Sequence, residues 1–269
     1  MDDRPIGIFD SGLGGLTAVR ALAQAAPWES FVYLGDTANA PYGDRSREDL
    51  LALSRKNVRF LRGRGVKALL VACNTSTANA MDSMRAENPD MPVVGVIEPA
   101  AAAAVSVTET GRVGVLATAA TVASGAYERA VRRLLPDARI AAQACPKLVP
   151  LVESGRTDGA DPALREAVAE YAAPLQRAGV DTVILGCTHY PIIRRAIRAC
   201  FGPDTALIDS GAACVGVLLK ALEGRDALGD RAKKGRRQFY CTGGGERFAA
   251  LGEAFLGWPM EDLTDRVAL

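Results

Sequence analysis

The sequence has no excess of charge of either sign and no long uninterrupted apolar segment. Its 269 residues include 32 Lys and Arg against 31 Asp and Glu. Such a balance gives no general attraction to a nucleic-acid backbone or to an acidic membrane surface. The most apolar stretch, residues 91–107, is interrupted by Glu98 and Pro99, so we expect no membrane-spanning helix. We therefore predict a protein that binds neither nucleic acid nor membrane.

The sequence also lacks closely spaced pairs of cysteines and has a single histidine, His189. None of its six cysteines forms a C-x-x-C motif, and Cys187 with His189 gives too few ligands for a zinc site. We therefore expect no metal. The start of the chain has no basic segment followed by a long apolar one, so we expect no secretory signal. A cytoplasmic location follows as the expectation, and thiols stay reduced there.

Two common cofactor motifs are incomplete. Residues 10–17 form a glycine-rich segment between a predicted strand and a predicted helix, but Thr17 stands where the dinucleotide fingerprint requires its last glycine. We interpret the segment as a tight loop whose amides, with Ser11, face a carboxylate at a helix N-terminus. Pyridoxal catalysis needs a Schiff-base lysine, and of six lysines only Lys147 lies near a candidate site. We therefore expect an enzyme without a cofactor.

Short β-rich runs alternate with helical stretches along the chain. This order predicts an α/β fold with mainly parallel sheets, in which ligands bind beyond the carboxyl ends of the strands. The predicted helices include residues 15–25, 47–63 and 161–178. The predicted strands are residues 6–9, 31–34, 68–72, 93–97, 113–117, 139–142, 182–185 and 206–208.

The chain also repeats itself. Residues 67–75 resemble residues 181–189, each an apolar run that ends in a small residue, a cysteine and a polar pair. Residues 6–11 resemble residues 113–118 and precede their cysteine segments by similar distances. Two matches in the same order indicate a duplicated α/β unit. We predict two similar units, related by a pseudo-twofold axis, with the active site in the cleft between them.

The repeat places Cys73 and Cys187 where a strand stops and a loop begins. If the two units face each other, both thiols reach one cleft from opposite sides. One thiolate then removes a proton from a carbon centre while the other thiol protonates the opposite face, which is racemisation. His189, Asp10 and Glu153 are candidates to accept or relay protons nearby. The other four cysteines are expected to be inert small apolar residues.

At these residues the chain resembles the glutamate racemases of the cofactor-independent, two-cysteine aspartate/glutamate racemase family. The matching segments extend over most of the chain, and the one around Cys187 is the most specific. They are residues 9–15, 33–36, 41–43, 72–75, 95–99, 149–153, 185–191 and 209–210.

The resemblance implies interconversion of L- and D-glutamate. It assigns Cys73 to the D-enantiomer and Cys187 to the L-enantiomer. Asp10 resembles the group that assists Cys73, and Glu153 and His189 resemble those that assist Cys187. The substrate-binding residues that it implies are Asp10, Ser11, Tyr42, Gly43, Asn74, Thr75, Thr188 and His189.

The resemblance also implies two α/β domains with the substrate buried between them. The first comprises residues 1–97 plus 209–269, and the second comprises residues 98–208. The implied role is the supply of D-glutamate for bacterial peptidoglycan by a homodimer in the cytoplasm. One departure is Lys147, at a position where the family pattern has an apolar residue. Its proximity in sequence to Glu153 raises the question of whether the surroundings of that carboxylate are altered.

Two alternatives remain open at the level of sequence. The first is a racemase or isomerase for aspartate or another acidic substrate on the same scaffold. Tyr42 with Gly43, and the region of Ser11 and Thr118, would set the length of the substrate. The second alternative is a non-enzymatic binding module in which Cys73 and Cys187 are packing residues or a redox pair.

Overall fold

Two parallel β-sheets form the framework of the protein. The computed structural model describes residues 1–260 and 263–269. All the strand pairings in both sheets are parallel. The first sheet contains β1 (Ile6–Asp10), β2 (Phe31–Gly35), β3 (Ala68–Val71), β4 (Val93–Gly95), β9 (Arg237–Cys241) and β10 (Leu263–Arg266). The second sheet contains β5 (Arg112–Ala117), β6 (Arg139–Ala144), β7 (Thr182–Gly186) and β8 (Ala206–Asp209). The predicted α/β fold with two parallel-sheet units is confirmed.

Helices connect the strands and cover the sheets, as parallel strands require. Among the described residues they are α1 (Leu16–Ala25), α2 (Arg47–Gly63), α3 (Asn74–Glu87), α4 (Ile97–Val107), α5 (Ala119–Ala123), α6 (Ala126–Leu134), α7 (Leu148–Glu153), α8 (Pro162–Arg177), α9 (Arg194–Phe201), α10 (Ser210–Glu223) and α11 (Gly245–Leu256). In the part of the chain that the structure describes, we find no helix with the length and apolar character needed to cross a membrane.

Local capping signals explain why the long helices begin where the sequence predicts. Helix α2 begins after Ser46, whose side chain accepts a hydrogen bond from the Asp49 amide. Helix α8 begins after Asp161, which accepts from the Leu164 amide, and Pro162 occupies its first position. Both predicted helices are therefore confirmed to within one residue at each end.

The two sheets share one strand order. In the first sheet the four strands β1–β4 run in the order β2-β1-β3-β4, and in the second the order is β6-β5-β7-β8. Strand β5 thus occupies the position of β1, and β7 occupies that of β3. These are the two correspondences that the internal repeat predicts. The first sheet differs by the addition of β9 and β10 beyond β2.

The structure corrects three details of the predicted elements. The strand predicted over residues 93–97 ends at Gly95, because α4 begins at Ile97 and the proline at position 99 lies in its first turn. Strand β10 was not predicted at all. Strand β9 is likewise absent from the predicted strands. Pairing with β2 is what makes residues 237–241 a strand.

Candidate active site

A cavity of about 510 Å³ lies between the two sheet units, at the carboxyl ends of their central strands. It is lined by residues from both units, as expected for ligand sites in parallel sheets. Ten of the predicted site residues line it, namely Ser11, Tyr42, Gly43, Cys73, Asn74, Thr75, Glu153, Cys187, Thr188 and His189. The structure therefore brings both cysteines of the repeat to one cavity.

Cys73 follows β3 and caps helix α3. Its Sγ accepts a hydrogen bond from the Ser76 amide at 3.4 Å. The predicted loop after this cysteine is wrong, because a helix starts at the next residue, Asn74. Burial, reinforced by the nearby charge of Asp10, raises the pKa of the Cys73 thiol to about 11. Cys73 is thus protonated at neutral pH.

Cys187 follows β7 and belongs to a chain of three side chains. Its Sγ lies 3.8 Å from Nδ1 of His189, and Nε2 of His189 lies 3.0 Å from Oε1 of Glu153. Burial lowers the pKa of His189, but the contacts with Cys187 and Glu153 outweigh it and raise that pKa to about 10. The imidazole is therefore a cation at neutral pH. His189 thus places a positive charge beside the Cys187 sulfur.

Asp10, the remaining predicted site residue, lies fully buried at the end of β1. Its carboxylate accepts hydrogen bonds from the Gly12 amide at 3.1 Å and from the Thr188 hydroxyl at 3.3 Å. Burial raises the pKa of Asp10, although the nearby His189 opposes that shift. The glycine-rich loop was predicted to face a carboxylate. The carboxylate that the Gly12 amide contacts is that of Asp10, within the protein itself. That amide does not point to a ligand.

The glycine-rich loop lets the two units approach closely. A Cβ at Gly14 would overlap Oγ1 of Thr188 and lie 2.5 Å from Nδ1 of His189. The hydroxyl of Thr17 donates to the carbonyl oxygens of Gly14, at 2.9 Å, and Thr188, at 3.1 Å. A residue without a side chain at position 14 is therefore required for His189 to reach Cys187.

Tyr42 and Gly43 form another part of the wall. The Tyr42 hydroxyl donates to the buried carboxylate of Asp36 and accepts from Nδ2 of Asn57 at 3.1 Å. The carbonyl of Gly43 accepts from the Ala120 amide of the other unit at 2.9 Å. The Tyr42 hydroxyl is therefore held within the protein, and the Gly43 carbonyl links the two units beside the cavity.

Two polar residues at the start of α3 also contact the second unit. Oδ1 of Asn74 accepts from the hydroxyl of Tyr127 in the second unit, and its Nδ2 donates to Oγ of Ser210, the first residue of α10, at 3.3 Å. Thr75 makes its side-chain contacts with Thr118 and Thr121. These bonds fix the orientation of both side chains at the cavity wall.

Cys145 is a cavity residue that sequence reasoning missed. It was expected to be an inert apolar residue, yet it lines the same cavity as the two repeat cysteines. Its Sγ donates to the carbonyl of Gln143 at 3.3 Å, and burial raises the pKa of its thiol to about 12. Its position after β6 is the signal that was available, because that strand end lies at the same edge as the others.

Lys147 does not disturb the surroundings of Glu153. Its Nζ lies 2.6 Å from a carboxylate oxygen of Glu170 on α8, at the exposed surface. Glu153 keeps its contact with His189. Across residues 1–260 and 263–269, no three His, Cys, Asp or Glu side chains come together as a metal-binding group.

Comparison with known proteins identifies the family to which the chain belongs. The family model described as Asp/Glu/Hydantoin racemase matches residues 13–218. The curated glutamate racemase of Desulforudis audaxviator is 41% identical over 266 residues, which cover 97% of this chain and 96% of that protein. The chain belongs to the Asp/Glu/Hydantoin racemase family. The prediction of a racemase is thus confirmed at the level of the family.

Solved structures of this racemase family agree with the fold. A glutamate racemase isoform of Bacillus anthracis is 34% identical, with a TM-score of 0.92 and full coverage of both chains. The glutamate racemase of Francisella tularensis, solved in complex with D-glutamate, is 33% identical with a TM-score of 0.90, covering 98% of this chain and 97% of that one.

Proposed function

We propose that this racemase interconverts L- and D-glutamate without a cofactor, using Cys73 and Cys187 as the two acid–base groups. The observation that carries the proposal is that the two thiols, one from each sheet unit, line the same cavity. The relatives support the choice of substrate, because curated proteins about 41–43% identical to this chain are glutamate racemases. The D-glutamate complex of the Francisella protein supports it further.

In the direction from L to D, the Cys187 thiolate removes the α-proton of L-glutamate. The carbanion takes a proton from the Cys73 thiol on its opposite face, which gives D-glutamate. Cys187 ends as the thiol and Cys73 as the thiolate, so the site is ready for the reverse reaction. The cationic His189, held by Glu153, stabilises the Cys187 thiolate before the proton is removed.

Asp10 acts on the opposite cysteine. Burial of the thiol and, after it, the nearby carboxylate of Asp10 raise the pKa of Cys73, so the thiol keeps its proton until the carbanion forms. In the direction from D to L, the Cys73 thiolate removes the proton and the Cys187 thiol donates one. The three assisting residues are therefore divided between the two cysteines, with Asp10 beside Cys73 and the pair of His189 and Glu153 beside Cys187.

The polar groups of the cavity wall bind the substrate in this proposal. We propose Asp10, Ser11, Tyr42, Gly43, Asn74, Thr75, Thr188 and His189 for this role, and all of them except Asp10 line the cavity. Asp10 is fully buried and reaches the wall through its hydrogen bond with the Thr188 hydroxyl. A cavity with donors on both units suits a substrate with two carboxylates.

Further proposals concern the organisation and role of the protein. We propose two domains, residues 1–97 plus 209–269 and residues 98–208, because helix α10 returns the chain to the first unit and contacts α1. Residues 261 and 262 within that range lie outside the described residues. The resemblance to the family supports a homodimer in the cytoplasm that supplies D-glutamate for peptidoglycan.

Deuterium incorporation tests the reaction and the substrate together. The purified protein is incubated in deuterated buffer without pyridoxal phosphate, once with L-glutamate and once with L-aspartate. We expect deuterium at the α-carbon of glutamate together with formation of D-glutamate, measured by NMR and chiral chromatography. Incorporation into aspartate alone would overturn the glutamate assignment, and no incorporation into either would overturn the racemase activity.

A further inference from the structure

A ring of three threonine hydroxyls spans the cleft beside the cavity. Oγ1 of Thr75 lies 3.0 Å from Oγ1 of Thr118 and 3.3 Å from Oγ1 of Thr121. The Thr118 hydroxyl donates to that of Thr121 at 2.9 Å. Thr75 lies in the first turn of α3 in the first unit, whereas Thr118 and Thr121 follow β5 of the second. The three hydroxyls therefore satisfy one another across the boundary between the units.

The positions of the three side chains differ in one respect. Thr75 and Thr118 line the cavity, while Thr121 is only 1% exposed and lies behind them. Thr118 also caps the short helix α5, because its Oγ1 accepts from the Thr121 amide. The adjacent bond from the Ala120 amide to the Gly43 carbonyl holds the same helix against the first unit. Thr121 is thus fixed both along the chain and across the cleft.

The direction of the donated hydrogens suggests a use for this arrangement. Each hydroxyl has one hydrogen to donate. Because Thr118 donates to Thr121, Thr121 is left to donate to Thr75, and Thr75 to donate to Thr118. A carboxylate that enters the cavity accepts hydrogen bonds only, and it competes with Thr118 for the hydrogen of Thr75. The closed ring then opens into a chain that runs from Thr118 through Thr121 and Thr75 to the carboxylate.

We propose that Thr121, which lies outside the cavity wall, is a positioning residue that orients the Thr75 hydroxyl toward a carboxylate of the substrate. Hydrogen bonds in such a chain polarise one another, so the Thr75 hydrogen becomes a better donor. The empty site keeps no unsatisfied hydroxyl, because the ring closes again when the substrate leaves. The proposal rests on the role of Thr75 in substrate binding that is given above.

The variant Thr121→Val tests the proposal, because it removes the hydroxyl and keeps the shape of the side chain. We expect KM for both enantiomers of glutamate to rise about 3- to 10-fold, the effect of one lost hydrogen bond between uncharged groups, with kcat within about twofold. Thr121→Ser restores the hydroxyl and should restore KM. Thr205→Val is the matched control, since its buried hydroxyl donates to the Phe201 carbonyl and neither residue is among those that line the cavity.

A double variant separates this proposal from the assignment of Thr75. If both residues act through one hydroxyl, Thr121→Val should raise KM no further in a Thr75→Val background. An unchanged KM in Thr121→Val, beside a raised KM in Thr75→Val, would overturn the positioning role alone. An unchanged KM in Thr75→Val would overturn the substrate-binding role of Thr75. A loss of kcat and thermal stability that Ser does not rescue would make Thr121 a structural residue and also overturn the proposal.

Discussion

The two cysteines of the repeat occupy equivalent places in two similar units, yet their surroundings differ. Cys73 lies at a helix N-terminus near the buried carboxylate of Asp10, and the pKa of its thiol is raised to about 11. Cys187 lies beside His189, whose pKa is raised to about 10 through its contacts with Cys187 and Glu153. One thiol is therefore kept protonated by burial and by a negative neighbour, while the other has a cation beside it.

This difference shows how a duplicated fold supports a reaction that needs unlike groups. A racemase that works through two thiols needs one of them deprotonated and the other protonated when the substrate arrives. Symmetry of the backbone brings one sulfur from each unit to the same cavity, and the side chains around them break the symmetry of charge. Each of the substitutions below alters one of the two cysteines or the residues around it.

Removal of either thiol should have the largest effect. We expect Cys73→Ser and Cys187→Ser each to lower racemisation about 10²- to 10⁴-fold in both directions, because a hydroxyl is a far poorer acid–base group at neutral pH. Each variant should still exchange the α-proton of one enantiomer in deuterated buffer, L-glutamate for Cys73→Ser and D-glutamate for Cys187→Ser. NMR of the recovered amino acid measures the exchange.

The partly exposed Cys200, which is not among the cavity-lining residues, provides the matched control, and Cys200→Ser should keep the activity of the unaltered protein. Near-normal rates in both directions for either repeat-cysteine variant would contradict the two-thiol mechanism. Exchange of the same enantiomer by both variants would contradict the assignment of each cysteine to one face of the substrate.

A side chain at position 14 should disturb the surroundings of Cys187 directly, through Thr188 and His189. Because a Cβ there overlaps Thr188 and comes within 2.5 Å of His189, we expect Gly14→Ala to lower kcat about 10²-fold and the free energy of unfolding by about 1–3 kcal/mol. Chemical denaturation and steady-state kinetics measure the two effects. In the control Gly216→Ala, the Cβ points into open space on helix α10, so activity should stay unchanged and stability should rise slightly. A fully active Gly14→Ala would refute the need for this close approach.

Loss of the Glu153 carboxylate should have the smallest effect and should appear in the pH profile. The raised pKa of His189 means that the cation contributes stability below about pH 6.5, which is lost as the pH rises through about 10. Glu153→Gln removes one cause of that shift, so the alkaline limb of kcat/KM for L-glutamate should move toward neutral pH. We expect a loss of about tenfold at pH 8.

Glu170→Gln is the control for this pH profile, because Glu170 pairs with Lys147 at the surface of the same unit. Its profile should coincide with that of the unaltered protein. An unshifted alkaline limb in Glu153→Gln would show that Glu153 does not hold the charge of His189.

Much of the fold could be predicted because its signals are local. Ser46 and Asp161 mark the starts of two helices, and apolar runs before Cys73 and Cys187 mark the central strands of the two sheets. Strand β9 could not be predicted, because its pairing partner β2 lies about 200 residues away along the chain. The place of Cys145 in the cavity wall was missed for the same reason, since neighbours distant in sequence set it.

The sequence alone determined the two-unit plan, the family and the pair of thiols, because strand periodicity, helix caps and a repeated motif are written in consecutive residues. Only the tertiary structure decided the electrostatic difference between Cys73 and Cys187. That difference depends on which charges lie within a few ångströms of each sulfur and on how deeply they are buried. The tertiary structure also decided that the hydroxyls of Thr75, Thr118 and Thr121 meet across the cleft. Hydrogen bonds between the units form only when the two sheets are packed together.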